Sequence, residues 1–562
     1  MSWRYVAASL AASGVRTVFG LPGDGGDLFE ALTHDPVVTA VAARDQRNAA
    51  FMAWGAGLAA GQPGVCAVSG GPGLTNALTA LLEVCSASAP LVVLVAGSHL
   101  TWRQRGGFQA LDHGLAARPF TKWQFTVTDP VQLPWALRRA FYLSVNGRPG
   151  PVLLEIPDGL PAFASDVAPV ATLLAPALRT QADPAQVGRA AELCRRARRP
   201  ALLLGGGARR SGAGAELVAL AERLSAPIFV TASGRGVIDE SHPAMAGVAG
   251  IYQFEASERL LDQADLLLVF GSKLEETATL SWTLPRAEVD LIQVDIDPEG
   301  LGTSYPDALG LAGDCTLVAR QLLGALAGAA EPDRSEWSGL AARVRRRLAD
   351  DAAGWSQASG GSDPITAPAV APAVAGVFGP GMILAQENGL QDMWGFHYPL
   401  LTLPPGSRVI APAEQTAMGC SAAAALGAAA VTHQPVACIT GDGAFQFILA
   451  DLATAVTHRM GVTFVVLENG GYGWVRYRQG QSGSGPAGSA FAVSPDLASI
   501  GGALGMPVFS PTCRTELTQA LSQALEQNRK GSPVLVRVHV TDEEIPPGVL
   551  RAYGPPGPAA RG

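Results

Sequence analysis

Charge is scarce in this 562-residue sequence: 16% of its residues are Asp, Glu, Lys or Arg, and the formal net charge is −8. No Lys/Arg-rich run interleaves with aromatic residues, and the densest basic stretch, Arg195 to Arg199, is short. It reads as a solvated helix end ahead of Pro200, so nucleic acid is not an expected partner. The seven cysteines (66, 85, 194, 315, 420, 438 and 513) contain no C-x-x-C pair. Odd in number and scattered, they give neither a disulfide framework nor a zinc site, and they fit a reducing cytoplasm. No apolar run approaches the roughly 18 residues that span a bilayer, so no membrane contact is expected. The Ala-rich stretch after Met418 reads instead as a buried helix. The opening MSWRYVAASLAASGVRTVFG flows into an α/β pattern where a secretory leader would show a cleavage site, and it reads as a first amphipathic helix. There is no fixed-period repeat, which excludes a solenoid.

What the chain does have is 48% hydrophobic residues, 66 Gly and 41 Pro, a composition suited to an α/β enzyme with many tight strand-to-helix turns. It is too long for one hydrophobic core. Apolar runs at Thr17–Phe19, Val65–Val68, Leu91–Val95 and Val152–Ile156 alternate with helical stretches and predict a first parallel-sheet domain over 1–165. Residues from Ser165 to about Asp183 lose periodicity and read as a linker. A second α/β domain is expected over 184–328, with strands at Ala201–Leu204, Ile228–Val230, Leu266–Phe270 and Leu291–Val294. The Ala/Pro/Gly segment 358–379 leads to a third, 370–545, with strands at Arg408–Ile410, Val436–Thr440, Thr463–Leu467 and Val534–His539. Residues from Tyr553 on look like a loose tail. The expected fold class is therefore α/β, with three doubly wound parallel-sheet domains.

The strongest chemical signal is Gly441-Asp442-Gly443 directly after an apolar strand, then the 24 residues Ala444–Leu467, then Glu468-Asn469-Gly470-Gly471. Such a triplet puts a carboxylate at the carboxyl edge of a parallel sheet, beside a helix start near Ala444 whose N–H groups favour a phosphate. The next strand delivers Asn469 to the same edge. Asp442, Asn469 and a backbone carbonyl near Gly471 make a hard oxygen set suited to magnesium completed by diphosphate oxygens.

At these residues the chain resembles the thiamine-diphosphate enzymes of the acetolactate synthase and benzoylformate decarboxylase group, whose motif is G-D-G followed after some two dozen residues by N-N. Further similar segments are Val18 to Gly23, Ser69 to Asn76 with its Pro72, Arg148 to Val152, Val294 to Pro298, Gly313-Asp314 and Glu387 to Trp394. The resemblance implies Asp442, Asn469 and Gly471 as Mg2+ ligands and Gln391, Gly443, Ala444 and Tyr472 as diphosphate-side contacts. Gly23, Pro72 and Asn76 are implied on the pyrimidine side. Met418, in Thr416-Ala417-Met418-Gly419, is implied to bend the cofactor into a V, with the Thr416 carbonyl receiving its exocyclic amine. The three domains then read as pyrimidine-binding, central and diphosphate-binding, with sites at the interfaces of a homodimer or homotetramer. FAD, held in the central domain of several relatives, is compatible with Gly205-Gly206-Gly207-Ala208 but is not indicated by so short a glycine run.

The chain departs from the family where the cofactor is activated. In Arg44-Asp45-Gln46-Arg47-Asn48-Ala49-Ala50, Gln46 occupies the place of a glutamate that favours the imino tautomer of the aminopyrimidine. Glutamine hydrogen-bonds but cannot exchange a proton, so activation is expected to be slower. Three readings stay open: a working enzyme, a local distortion that substitutes Asp45, and a paralogue that binds cofactor without turnover. Phe108 and Gln109 resemble an acetolactate synthase segment facing the thiazolium, and His113 is a candidate for proton transfer or for a structural role. In Tyr472 to Gln479 a specificity tryptophan becomes Arg478, near Trp474, which would favour a polar or anionic acceptor unless Arg478 lies in solvent. The expected reaction is decarboxylation of a 2-keto acid with transfer of an acyl carbanion equivalent; plain decarboxylation or C–C cleavage is the runner-up.

Overall fold

Strands buried on both faces of a parallel sheet carry unbroken apolar runs, and the computed structural model orders those runs into three six-stranded parallel sheets. It describes residues 2–23, 27–33, 35–102, 104–161, 167–174, 176–328, 332–357, 364–483, 485–542 and 544–555. The first sheet holds β1 (Thr17–Gly20), β2 (Thr39–Ala42), β3 (Gly64–Ser69), β4 (Leu91–Gly97), β5 (Trp123–Thr126) and β6 (Pro151–Pro157), in the order β2-β1-β3-β4-β6-β5. The second holds β7 (Pro200–Leu204), β8 (Ile228–Val230), β9 (Met245–Val248), β10 (Leu266–Phe270), β11 (Asp290–Asp295) and β12 (Leu309–Ala312), in the order β12-β11-β10-β7-β8-β9. The third holds β13 (Ile383–Gln386), β14 (Arg408–Ile410), β15 (Val436–Gly441), β16 (Val462–Glu468), β17 (Val508–Phe509) and β18 (Val534–His539), in the order β14-β13-β15-β16-β18-β17.

Counted from its own first strand, the third sheet repeats the order of the first, and the second has the 3-2-1-4-5-6 order of dinucleotide-binding sheets. In such sheets a crevice opens at the carboxyl ends where the order reverses: between β1 and β3, between β7 and β10, and between β13 and β15. Those three places carry Leu21 to Gly23 with Gly70 to Pro72, Gly205 to Gly207 with Gly271 to Lys273, and Glu387 to Asp392 with Asp442.

The first and third units share one core. Their helices Gln46–Ala60 and Cys420–Val431 cross with backbones almost touching: a Cβ on Gly55 would lie 1.8 Å from the Ala424 carbonyl oxygen, and one on Gly427 1.8 Å from that of Met52. Only glycine allows this approach, and the Ala-rich sequence of the second helix completes it, with Cys420 to Ala428 buried.

Two segments differ from the sequence reading. Within 358–379 a helix runs from Ala367 to Phe378, admitting Pro368 in its first turn, where the missing N–H costs nothing, and also Pro372. The 165–183 linker, of which 165, 166 and 175 lie outside the described residues, folds back on the first helix (Ser2–Ala12): Tyr5 Oη donates to the Ala168 carbonyl at 3.0 Å, and the Val170 N–H to Ser9 Oγ at 3.1 Å. At the C-terminus a helix spans Pro547–Tyr553, and 556–562 are outside the described residues.

Candidate active site

Register pairs Gly441 with Leu467, so the loops bearing Asp442 and Asn469 leave the third sheet side by side. Asp442 is buried; its Oδ1 accepts from the Gly443 N–H and its Oδ2 from the Gly470 N–H, each at 2.9 Å. Burial pushes its pKa up to about 6 against the pull of those N–H groups. Asn469 Nδ2 donates to Asp542 Oδ1 at 2.6 Å, which leaves the amide oxygen of Asn469 as the atom available to a cation. Asp542 is held by Arg476 at 2.7 Å, and Arg476 also donates to the Asn469 carbonyl at 3.1 Å. Gln391 reaches Asp542 with Nε2 at 3.4 Å, while its own Oε1 is buried without a hydrogen-bond partner. A Cβ on Gly471 would stand 2.1 Å from the Ser489 carbonyl, so that position demands glycine, and one on Gly443 would stand 2.7 Å from the Tyr472 ring and push it aside. The helix that includes Ala444 is shorter than the sequence pattern suggests, spanning only Asp442–Phe445 before a 3-10 segment, Gln446–Asp451. Glu468 turns to β18, where Arg537 grips it at 2.8 and 3.0 Å.

Across this crevice runs the segment 413–422. Met418 is 43% exposed despite its apolar side chain, and Thr416 has φ 45°, a left-handed conformation unusual for a β-branched residue. Glu387, at the carboxyl end of β13, accepts from the Ser421 and Ala422 N–H groups at 2.8 and 3.1 Å. Its pKa is pushed up to about 8 by burial. Asp392 accepts from the Gly389 and Gly441 N–H groups and is raised to about 7, again chiefly by burial.

At the first sheet, Gln46 opens the Gln46–Ala60 helix, and its Oε1 accepts from Asn76 Nδ2 at 3.0 Å. That bond fixes the amide so that Nε2 remains a donor. Asp45 is the N-cap, accepting from the Arg47 N–H at 2.7 Å, so its carboxylate is already committed. Pro72 starts the helix Pro72–Ser86, and Gly23 and Gly73 both close on Ser69. His113 is fully buried: Nε2 accepts from the Gly71 N–H at 2.9 Å and Nδ1 lies 3.0 Å from Glu155 Oε1. Gln109 (φ 51°) packs over Gly71, and Phe108 beside it is 70% exposed.

Three family models match in succession: the N-terminal TPP binding domain of thiamine pyrophosphate enzymes over 3–116, their central domain over 187–322 and their C-terminal TPP binding domain over 387–538. The chain belongs to the thiamine pyrophosphate enzyme family. Relatives match along almost all of it. A probable 2-ketoarginine decarboxylase of Pseudomonas aeruginosa is 31% identical over 92% of this chain and 91% of its own. The acetolactate synthase large subunit of Corynebacterium glutamicum is 29% identical over 94% and 85%, and the probable one of Methanocaldococcus jannaschii 27% over 97% and 93%. This thiamine pyrophosphate enzyme is an acetolactate synthase-like decarboxylase/carboligase.

Within one chain of the thiamine pyrophosphate enzyme two sets of residues form. Asp442, Gly443, Asn469, Gly471, Tyr472 and Gln391 gather at the third sheet; Gln46, Asn76, Gly23 and Pro72 gather at the first. Among the described residues no hydrogen bond joins Gln46 to the Asp442 edge. Its neighbours bind the third unit instead, Asn48 Nδ2 reaching Asp451 at 2.8 Å and Arg47 the Phe447 carbonyl at 2.9 Å. Arg478 is exposed and lies 4.6 Å over the Tyr553 ring, which also meets Trp474 edge-on. Asp542, Arg476, Arg537 and Glu155 escaped the sequence reading. Asp542, Arg537 and Glu155 meet their partners only once strands pair, and Arg476 meets Asp542 from the helix Gly473–Gln481 that follows Asn469. The flavin question belongs to a cavity of about 670 Å³ at the switch point of the second sheet, lined by Gly206, Gly207, Arg210, Lys273 and Asp295. Among the described residues no group of three His, Cys, Asp or Glu side chains is placed to hold a metal, and no helix is long and apolar enough to cross a membrane.

Proposed function

We propose that this enzyme decarboxylates a 2-keto acid and passes the acyl unit to an acceptor carbonyl, using magnesium and thiamine diphosphate in sites completed by a second copy of the chain. The observation that carries the reading is the edge formed by Asp442 and Asn469, where one carboxylate, one amide oxygen turned outward by Asp542 and the carbonyl of Gly471 offer hard oxygens. The donor set and the Gly443 and Gly471 cradles fit Mg2+ bound to a diphosphate. The bound cofactor supplies a nucleophilic carbon and an electron sink. Asp442, Asn469 and Gly471 hold the metal, Gln391 and the Gly443-Ala444 backbone face the diphosphate, and Tyr472 closes over Gly443. Met418 and the Thr416 carbonyl receive the aminopyrimidine. Gln46 of the second copy, oriented by Asn76, would offer its Nε2–H to the pyrimidine ring.

Gln46 carries no proton to trade, so its contribution is placement, and the tautomer shift costs more than with a carboxylate. His113, buried with Nε2 already accepting from Gly71, fits a positioning role for the Gly70-Gly71 turn beneath Gln109 better than direct proton transfer. Exposure of Phe108 and Met418 in the single chain supports a partner subunit covering both. Arg478 lies in solvent over the Tyr553 ring, which also meets Trp474, so its guanidinium is not the group that would select an anionic acceptor. Calorimetric titration with thiamine diphosphate tests the metal assignment. Native protein is expected to bind only with Mg2+ present, and Asp442→Ala to lose at least ten-fold in affinity; equal binding by Asp442→Ala removes the assignment.

A further inference from the structure

Glu83 has no duty in the reading above, yet it is fully buried on the helix Pro72–Ser86 of the first unit and reaches into the third. Its Oε1 accepts from the Ala413 N–H at 2.6 Å and its Oε2 from the Ala417 N–H at 2.8 Å. One carboxylate thus straddles Glu414, Gln415 and Thr416. Thr416 is the strained residue of this turn, with φ 45°, and its N–H closes back on the Ala413 carbonyl at 3.2 Å. A β-branched side chain in the left-handed region persists only where the surroundings over-determine the backbone. The other anchors are foreign to the third unit as well: Glu414 accepts from Ser86 Oγ at 2.5 Å and pairs with Lys273 at 3.4 Å.

We propose that Glu83 is a positioning residue: by clamping the N–H groups of Ala413 and Ala417 it holds Thr416 in its left-handed conformation and aims the Thr416 carbonyl at the aminopyrimidine. The inference rests on the proposal that this segment receives the cofactor. Without an acid at position 46, orientation of the exocyclic amine by that carbonyl becomes the main protein influence on the tautomer. Burial raises the pKa of Glu83, while the two N–H groups and Lys273 favour its charged form. Only a carboxylate offers acceptors to both donors; an amide turns an N–H2 toward one of them.

The test compares native protein, Glu83→Gln, Glu83→Asp and the double variant Glu83→Gln/Thr416→Gly, each with magnesium. The readouts are thiamine diphosphate affinity and the near-ultraviolet circular dichroism of the bound cofactor against pH. Glu83→Gln is expected to weaken binding about ten-fold and shift the pH profile of the cofactor band. The double variant should recover most of both, since glycine adopts positive φ without strain. Glu83→Asp, too short to span both donors, should resemble Glu83→Gln, and it decides the matter if the glutamine variant does not fold. Native affinity and an unshifted band in a folded Glu83 variant overturn the inference, as does a folded double variant no better than Glu83→Gln. Failure of the native chain itself to bind thiamine diphosphate would instead strike the underlying proposal.

Discussion

At the scale of single residues the molecule separates what can be read locally from what cannot. Gly441-Asp442-Gly443 and Asn469 declare themselves because spacing alone puts them at adjacent strand ends. Asp542 does not: its link to Asn469 spans 73 positions and forms only when β16 and β18 pair. Gln46 is legible as a departure, and the structure adds the bond from Asn76 that orients it. Replacing Gln46→Glu keeps an acceptor oxygen for Asn76 and adds a titrating acid at the pyrimidine nitrogen. The expected result is exchange of the cofactor C2 proton about 10²-fold faster, measured by deuterium exchange; an unchanged rate would show that position 46 does not face the pyrimidine. His397 offers a second test. It is buried among Phe254, Trp394 and Tyr252, with Nδ1–H donating to the Met393 carbonyl at 3.0 Å. Burial lowers its pKa to about 4 from an ordinary 6.5. The folded state therefore holds it neutral while the unfolded chain takes up a proton below 6.5, so the stability it contributes is complete above that pH and falls as pH drops toward 4. Between about pH 6.5 and 5 the loss is about 2 kcal/mol. Urea unfolding of native protein against His397→Phe should show this pH-dependent difference, and parallel curves would refute it.

At the scale of elements, the apolar runs read from the sequence became strands, most extended by a residue or two. The strands it did not mark are β2, β5, β9, β12, β13 and β17, and all but β13 lie at sheet edges. Four of these edge strands are short and half-exposed, as in the largely unburied pattern of β5, so they carry little of the buried-run signal; β9, buried throughout, is only four residues long and holds an Ala-Gly pair. β13 has four residues, close behind a Pro-Gly turn. Equally hidden in sequence is the crossing of Gln46–Ala60 with Cys420–Val431, because alanine and glycine at buried positions carry no periodic contrast. That crossing sets Gln46 and the Met418 segment on one shared core. Gly55→Ala would place a methyl against the Ala424 carbonyl at 1.8 Å and force the helices apart. A loss of about 2–3 kcal/mol is expected in denaturant unfolding. A melting temperature equal to native would show that the helices do not meet there.

At the scale of the whole molecule, three sheets open three switch-point crevices, and the first and third repeat one strand order. Sequence style suggested that relation without fixing it; the matching orders supply it. Within one chain the residues proposed for the cofactor divide between the crevice of the first sheet and that of the third, which is why assembly belongs to the proposal and not to the single chain. The central claim is that this assembly turns over a 2-keto acid although Gln46 stands where an acid is expected. Release of CO2 from a panel of 2-keto acids by the native chain, with magnesium and thiamine diphosphate, tests it most directly. Cofactor-dependent release from at least one member is expected, faster after Gln46→Glu. No release from any member by native protein shown to bind the cofactor, with release appearing only in Gln46→Glu, would contradict it.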